Sequence, residues 1–393
     1  MKRFLCVMLA ALLLFAGCTY SENSEKRSEN IVSGVWISYS ELSMKDQNGG
    51  DGEQFTRKIT EMLDNCAKLG INTIFLQVRP FCDAMYHSEI FPWSEYLTGK
   101  QGTAVNYDPL EISVTEAHKR GFSLHAWINP FRVSFDTDTK KLSEDNPAIK
   151  LLKDKNAEGR VVRADGGLYL CPASTENHKL VIDGVREIIR NYDVDGIHID
   201  DYFYPSTEES VDKAYYEKYK KDGGGLSLEK WRLDMISSFV SQMYTAVKSE
   251  NTDCVFSISP AGNINNNYEQ EYADVKLWCS QRGYCDWIIP QLYYGFENEL
   301  LPFDEACEAW SRLDTVGAVR MLYGVAAYKL NESDEEFDVG NGIMEKEISV
   351  ASATDNYGGI VFFSYSALAD ESNGSEFKNI SSSVFGKTIS EDE

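Results

Sequence analysis

Short apolar segments alternate with longer segments of helical periodicity along most of the chain. The apolar segments are rich in β-branched and aromatic residues, which is typical of buried strands. The segments between them repeat apolar residues every three or four positions, as amphipathic helices do. We predict strands at residues 32–38, 73–79, 123–129, 196–200, 255–259, 287–291, 321–325 and 359–364. We predict helices at residues 54–69, 109–120, 174–191, 228–250, 271–281, 303–313, 342–356 and 375–385.

Eight strand–helix units follow one another within residues 31–386. Strict alternation of this kind predicts a parallel sheet covered by helices. Eight units in this length predict an α/β fold, a single (β/α)8 TIM barrel with extended βα loops. A doubly wound sheet is the alternative, but no G-x-G-x-x-G sequence follows any predicted strand.

The strand positions that would face the barrel interior become polar toward the carboxyl end of most strands. Gln77 and Arg79 end the second predicted strand, and His198 and Asp200 end the fourth. Burying so many polar groups costs free energy unless they find partners. A hydrogen-bond network at the top of the barrel is one explanation. An active site is the explanation that we favour, because barrels place their catalytic residues at this rim.

Residues 193–205 read D-V-D-G-I-H-I-D-D-Y-F-Y-P and carry the strongest chemical signal. Asp200 is expected to point inward at the end of the strand, and Asp201 begins the loop. Two adjacent carboxylates suit glycosidic cleavage, which needs one ionised group and one acid. Burial and like charge would push their pKa values apart. A structural role, or a Mg²⁺ or Ca²⁺ site that includes Asp195, is the alternative.

Further candidates follow other strands. Asp83 and Glu297 are alternative general acids after Asp201, in that order. Flat aromatic rings bind sugar faces, and amides, imidazoles and guanidinium groups bind sugar hydroxyls. We predict that the substrate-binding residues are Arg79, His125, Trp127, Asn129, Arg132, His198, Tyr202, Tyr204, Gln291 and Tyr293.

Charge and missing motifs exclude several classes of function. Lys and Arg number 38 against 62 Asp and Glu, a net charge of −24. Such a balance argues against nucleic acid and anionic lipid as binding partners, which require clustered positive charge. The chain has no G-x-S-x-G, no H-E-x-x-H and no P-loop, so we expect neither a cofactor nor a catalytic metal. The cysteines beyond Cys18 are expected as buried thiols, with a Cys279–Cys285 disulfide left open.

The N-terminus predicts export. Lys2 and Arg3 precede an apolar run at 4–16, which is short for a membrane span and fits a signal peptide. Ala16-Gly17-Cys18 is similar to a bacterial lipobox, so we predict cleavage after residue 17 and lipidation of Cys18. An ordinary cleaved signal is the alternative. A polar tether at 18–30 would hold the protein at the membrane of the cell envelope, and 387–393 would be an acidic tail.

Seven segments resemble the glycosyl-hydrolase-like family 10 domain. The resemblance implies a TIM barrel of glycoside hydrolases, often on exported lipoproteins, and some members resemble enzymes that cut peptidoglycan strands. The segments are G-V-W-I-S-Y at 34–39, Q-V-R-P-F-C-D-A-M-Y-H-S at 77–88, P-W-S-E-Y-L-T-G-K-Q-G at 92–102, Y-D-P-L at 107–110, H-A-W-I-N-P-F-R at 125–132, D-G-I-H-I-D-D-Y-F-Y-P at 195–205 and S-I-S-P-A-G at 257–262.

Barrels of more distant families match this chain at Asp200 but not at the position of their general acid. Asp200 matches the nucleophile that ends the fourth strand in amylase-type and α-galactosidase-type barrels. The fifth predicted strand offers Ser257 and Ser259 but no carboxylate for the acid. Chitinase-type barrels have acidic residues where this chain has His198 and Tyr202, so their substrate-assisted mechanism does not transfer. We therefore expect an exported, lipid-anchored glycoside hydrolase, with a non-catalytic carbohydrate-binding lipoprotein as the alternative.

Overall fold

Eight parallel strands close into a barrel in the computed structural model, which describes residues 31–383 except 318 and 333–334. The predicted signal peptide, tether and acidic tail lie outside the described residues. Each strand pairs with the next along the chain, and the eighth pairs with the first, so that Val35 lies opposite Phe362. Closure confirms the predicted barrel and excludes the doubly wound sheet. The strands are β1 Val32–Ile37, β2 Thr73–Arg79, β3 Ser123–Ile128, β4 Gly196–Ile199, β5 Val255–Ile258, β6 Trp287–Ile288 with Gln291–Leu292, β7 Arg320–Val325 and β8 Tyr357–Phe363.

A helix follows each strand and packs on the outside of the barrel. Helix α1 begins with a capping box, in which Asp51 accepts from the backbone N–H of Gln54 and Gln54 accepts from that of Asp51. It ends before Gly70, whose φ of 80° suits glycine. The helices are α1 Gly52–Lys68, α2 Pro109–Lys119, α3 Thr175–Asn191, α4 Leu228–Glu250, α5 Val275–Ser280, α6 Phe303–Ser311, α7 Ile343–Ser352 and α8 Gly374–Ser383.

Two predicted elements differ from the structure for identifiable reasons. The sixth strand is interrupted at residues 289–290, because Pro290 has no backbone N–H to donate to a neighbouring strand. The fifth helix begins at Val275 rather than at residue 271, because the Asp274 side chain accepts from Leu277 N at 3.0 Å and caps it there. Glu271 therefore lies in a loop at the top of the barrel.

The loops at the carboxyl ends of the strands are the enlarged ones. The β3–α3 loop contains an antiparallel sheet of Arg132–Ser134, Gly167–Leu170 and Val161–Ala164, in that order. Short helices lie at Tyr39–Leu42, Glu95–Thr98, Pro147–Lys153, Lys213–Lys221, Ile264–Glu269 and Tyr365–Ala369. Single 3₁₀ turns lie at Lys45–Gln47, Thr139–Lys141, Lys155–Ala157, Glu209–Val211, Ala327–Lys329, Glu335–Phe337 and Glu371–Asn373.

Aromatic and imidazole rings fill the barrel interior. Trp36, Phe75 and Trp127 form an inner cluster, separate from the larger apolar layer between strands and helices. The Trp36 indole N–H donates to Nε2 of His198 at 2.9 Å, and Nδ1 of His198 contacts Ser257 Oγ at 2.8 Å. Burial holds the pKa of His198 well below its usual value, so the ring is neutral. The interior is thus a packed plug, and any ligand must bind above it.

The seven cysteines of the described residues are buried free thiols, so Cys279 and Cys285 are not joined. Within residues 31–383 as described, no helix combines the length and apolar content that a bilayer crossing requires.

A buried ion pair anchors the β4–α4 loop. Arg232, in α4, donates from Nε and Nη2 to the two carboxylate oxygens of Asp212 at 2.7 and 2.8 Å. The same guanidinium donates to the backbone carbonyls of Thr207 and Glu208, both at 2.8 Å. Its Nη1 also donates to the Tyr272 hydroxyl at 2.9 Å, which connects this loop to the β5–α5 loop. Two loops at the top of the barrel therefore depend on one guanidinium.

Replacing Asp212 with Ala should lower the free energy of unfolding by about 3–5 kcal/mol, because Arg232 would remain buried without a counter-charge. Urea denaturation measures this change. Asp222→Ala removes a carboxylate from the exposed Lys218–Asp222 pair of the same loop and should cost about 0–1 kcal/mol. Equal, small losses in the two variants would contradict the anchoring role.

Candidate active site

A cleft of about 480 Å³ opens at the carboxyl ends of the strands. It contains three carboxylates, Glu41, Asp200 and Asp201, and one cationic side chain, Arg132. The remaining wall is aromatic, amide and hydroxyl. The other lining residues are Trp36, Ser38, Tyr39, Ser40, Gln77, Trp127, Phe135, Tyr202, Ser259, Gln291, Tyr293, Phe363, Ser364 and Ser366.

Asp200 is fixed at the floor of the cleft through one of its two oxygens. It is 3% exposed, and its Oδ2 accepts from the Trp127 indole N–H at 3.1 Å and from the Asn129 side-chain amide. The Asn129 carbonyl accepts from Gln77 Nε2 at 2.6 Å, which fixes the orientation of the amide. Among the described residues Oδ1 of Asp200 has no hydrogen-bond partner. One oxygen is therefore held and the other is left for a ligand.

The two adjacent aspartates share an unfavourable environment for charge. Burial, and then the charge of Asp201, raises the pKa of Asp200 to about 7. Burial also raises the pKa of Asp201, which a hydrogen bond to Gln291 and the charge of Arg132 oppose. Two carboxyl groups so close together do not ionise independently, and full ionisation of the pair is disfavoured. A pair that passes through a state with one carboxylate and one carboxylic acid is the combination that acid–base chemistry requires.

Two groups of aromatic rings line the cleft together with these carboxyl groups. In the first group Tyr293 and Phe363 stack with ring centroids 5.6 Å apart, and the rings of Trp36 and Phe363 lie 6.1 Å apart. In the second group Phe135 and Tyr202 are 59% and 46% exposed. Exposed apolar rings that share one cleft mark a binding site more strongly than single exposed rings do. Flat rings of this kind suit the faces of sugars.

A family model described as "Glycosyl hydrolase-like 10" matches residues 31–339. The chain belongs to this family. Glycosyl hydrolase YngK of Bacillus subtilis is 34% identical over 327 residues, which cover 78% of this chain and 62% of that protein. Glycosyl hydrolase DigH of Escherichia coli is 31% identical over 331 residues, which cover 77% of this chain and 74% of that protein. The chain thus spans less than two thirds of the first relative and about three quarters of the second.

Solved structures share the fold at low sequence identity. The glycoside hydrolase domain of PgaB (BpsB) from Bordetella bronchiseptica has a TM-score of 0.64 at 11% identity, over 89% of this chain and 98% of that chain. The β-amylase catalytic domain from Paenibacillus polymyxa has a TM-score of 0.58 at 11% identity, over 92% and 99%. At this identity the likeness concerns the barrel alone. The sequence relatives therefore carry the family assignment, and the solved structures add the fold.

The glycosyl hydrolase-like barrel brings half of the predicted site residues to the cleft wall. The predicted residues that line it are Asp200, Asp201, Trp127, Arg132, Tyr202, Gln291 and Tyr293. Asn129 lies just behind the wall and acts on Asp200. His125 and His198 face the interior as predicted, but they belong to the buried plug below the cleft. Burial lowers the pKa of His125 to about 4, and its ring stacks on Trp287 at 4.9 Å.

The remaining predicted residues lie away from the cleft wall. Asp83 is fully buried and accepts from Gln101 Nε2 at 3.1 Å, and burial raises its pKa to about 6. Arg79 is buried with its guanidinium 4.7 Å above the Phe91 ring. Tyr204 donates to Asp212 at 3.0 Å, within the anchoring pair of the loop. Glu297 is exposed. None of these four is among the residues that line the cleft.

The metal alternative does not bring its three aspartates together. Asp195 precedes β4 at the amino end of the barrel, where Oδ2 accepts from Leu124 N at 2.8 Å and contacts His118 Nε2 at 2.9 Å. Asp200 and Asp201 lie at the opposite end of the same strand. In the part of the chain that the structure describes, no group of three or more His, Cys, Asp or Glu side chains is arranged to hold a metal ion.

Glu41 is a cleft carboxylate that the sequence reasoning missed. Its Oε2 accepts from the backbone N–H and the hydroxyl of Ser38 at 2.6 and 2.8 Å. Its Oε1 accepts from Ser364 Oγ at 2.8 Å and from Ser366 N at 2.6 Å. These four bonds occupy both oxygens and join the ends of β1 and β8. The S-x-x-E spacing of a capping box was the available signal.

Glu271 is a second missed carboxyl group, because its segment was predicted as helix. It lies in the β5–α5 loop and accepts from the backbone N–H of Tyr204. Burial, and then the charges of Asp201 and Asp200, raises its pKa to about 8. Tyr272 beside it has a φ of 53°, an uncommon conformation for a non-glycine residue. The loop thus brings a third acidic group near the aspartate pair without placing it on the cleft wall.

The environment of Asp200 predicts its titration. Its carboxyl carbon should titrate near pH 7 in a ¹³C NMR experiment on labelled aspartate, with Asp200→Asn assigning the signal. Trp127→Phe removes one donor to the charged form and should raise the pKa of Asp200 by about one pH unit, the worth of one hydrogen bond to a charged group. Trp93→Phe, in a ring that packs beside His87 outside the cleft lining, should leave it unchanged. A midpoint below pH 5 would contradict the described environment.

Proposed function

We propose that this protein hydrolyses O-glycosidic bonds of a polysaccharide. One observation carries the proposal: Asp200 and Asp201 lie side by side in an aromatic-lined cleft, where burial raises the pKa of both carboxyl groups. Glycosidic cleavage needs a pair of carboxyl groups, because an ionised carboxylate must stabilise the oxocarbenium-like centre while an acid protonates the leaving oxygen. The aromatic rings of the cleft supply apolar faces for the sugars.

In the proposed mechanism the pair reacts in the form in which Asp200 is ionised, although burial and the charge of Asp201 raise the pKa of Asp200 to about 7. Two neutral donors, Trp127 and Asn129, stabilise the ionised form at Oδ2, and Oδ1 is directed at the anomeric carbon of a bound sugar. Asp201 carries the proton and donates it to the glycosidic oxygen as that bond breaks, and a water molecule then bonds to the anomeric carbon and returns a proton to the pair. Asp83 and Glu297, the other predicted acids, are less suitable because they do not line the cleft. Positioned proton transfer of this kind contributes roughly 10²–10⁴-fold in rate.

The finer parts of the proposal concern substrate and location. The family resemblance of the sequence favours glycan strands of peptidoglycan. Such a long polymer would contact both groups of aromatic rings along the cleft. The basic start, apolar run and Ala16-Gly17-Cys18 favour export and lipidation of Cys18, which would place the enzyme at the membrane of the cell envelope. Substrate and anchor would then lie on the same side of that membrane.

Product analysis tests the proposed reaction. The purified protein is incubated with peptidoglycan, intact and stripped of peptides, and with a panel of neutral glycans, and the soluble products are measured by mass spectrometry. Asp200→Asn should lower turnover by roughly 10²–10⁴-fold while the fold, followed by circular dichroism, is kept. Asp201→Asn should act similarly, because the same pair loses its acid.

The matched control is Asp193→Asn, which changes an aspartate just before the same strand with a side chain that is 93% exposed. It should release products at the wild-type rate. If no glycan is cleaved and one is bound, the protein is a carbohydrate-binding lipoprotein instead. If Asp200→Asn keeps full turnover, the assigned role of this carboxylate is wrong.

A further inference from the structure

Arg132 is a nearly buried cation on the cleft wall, and its position is tightly held. It begins the small antiparallel sheet of the β3–α3 loop, where it lies opposite Tyr169. It is 5% exposed, and its Nε donates to the backbone carbonyl of Pro80 at 3.4 Å. The guanidinium carbon lies 4.3 Å from the centre of the Tyr202 ring and 4.7 Å from that of Phe135. With Phe81 at 5.1 Å, three aromatic rings therefore surround the guanidinium, and its nitrogens are the groups that can donate to a ligand.

No carboxylate neutralises this cation directly. Among the described residues, Arg132 forms no ion pair with a nitrogen–oxygen distance of 4.0 Å or less; the ion pairs within that distance involve other side chains. Arg232 shows the contrast, since both oxygens of Asp212 bind it. The charge of Arg132 acts on Asp200 and Asp201 across space without an ion pair. A desolvated guanidinium without a direct partner attracts an anion from outside the protein.

The geometry of a carboxylate suits the guanidinium group of Arg132. The guanidinium fork binds a carboxylate through two parallel hydrogen bonds, a geometry that a hydroxyl group cannot provide. Tyr202 and Phe135 are exposed beside it. A sugar ring that stacks on them would therefore bring its own carboxylate to Arg132. The overall charge of −24 repels anions at long range, so their recognition requires a local cation such as this one.

We infer that Arg132 forms a subsite for a carboxylate carried by a sugar of the glycan, next to the bond that Asp200 and Asp201 cleave. This inference rests on the proposed function and adds a specificity-determining residue: Arg132 binds the carboxylate of a carboxyl-bearing sugar whose ring lies against Tyr202. A role limited to lowering the pKa values of Asp200 and Asp201 is the competing explanation. That role would affect charged and uncharged substrates equally.

The test compares one glycan in two forms. Peptidoglycan strands freed of peptides carry a carboxylate on every second sugar, and carbodiimide activation followed by borohydride reduces it to an alcohol without changing chain or linkage. The kcat/KM of the wild type should favour the carboxylate form by roughly tenfold to a hundredfold, the worth of a charge-assisted hydrogen-bonded pair. Arg132→Gln should bring this ratio close to one, and Arg132→Lys should restore part of it.

The control variant removes the same charge elsewhere on the same small sheet. Arg163 is exposed and outside the cleft, and Arg163→Gln should keep the wild-type ratio. A ratio of one in the wild type with both forms cleaved would overturn the subsite and leave the proposed function intact. Cleavage of neither form would reject the proposed function for this glycan. The ratio of Kd values from calorimetry then tests the subsite without turnover: preference for the carboxylate, lost in Arg132→Gln, supports it, and equal Kd values overturn it.

Discussion

The top of the barrel is organised around the need to keep one buried carboxyl group, Asp200, in place. A carboxylate at this depth is unstable unless donors meet it, and Trp127 and Asn129 do so from the neighbouring strand β3. Gln77 orients Asn129 and contacts the backbone of Tyr39 in turn, so the support reaches from β4 back to the end of β1. Since these residues lie on the strands or directly after them, the position of Asp200 follows from the register of the barrel.

Residues below Asp200 and in the surrounding loops also help to hold this carboxyl group in place. The neutral His198, held between Trp36 and Ser257, fills the barrel directly under it. Glu41 joins the ends of β1 and β8, and Arg232 joins the β4–α4 and β5–α5 loops. Each connection uses a polar group that has found its partners inside the protein. In the cleft lining, Oδ1 of Asp200 and Oγ of Ser259 are buried without a hydrogen-bond partner among the described residues, so they are free to bind a ligand.

The barrel could be predicted from sequence because strand and helix periods are local and strong. The position of Asp200 could also be predicted, because alternation directs its side chain to the interior and the end of the strand places it at the top of the barrel. Alternation does not show how deep in the barrel a side chain lies, however. His125 and His198 were therefore predicted to line the cleft, although they lie one layer below it. Glu41 and Ser364 could not be foreseen, because only closure of the barrel brings the first and last strands together. Asp83 was misplaced for a similar reason: the path of a long loop is set by tertiary contacts such as Gln101.

Charge in the cleft differs from charge over the whole molecule, and the difference follows from burial. The chain carries 62 acidic residues, most of them on solvated surfaces where neighbouring charges are screened. Inside the cleft burial raises the pKa values of both Asp200 and Asp201, which lowers the negative charge that the pair carries. Arg132 offsets that charge across space, while Glu41 is occupied by four donors. An acidic protein can thereby present a cleft of low net charge, and in such a cleft a single unpaired guanidinium is enough to select among glycans.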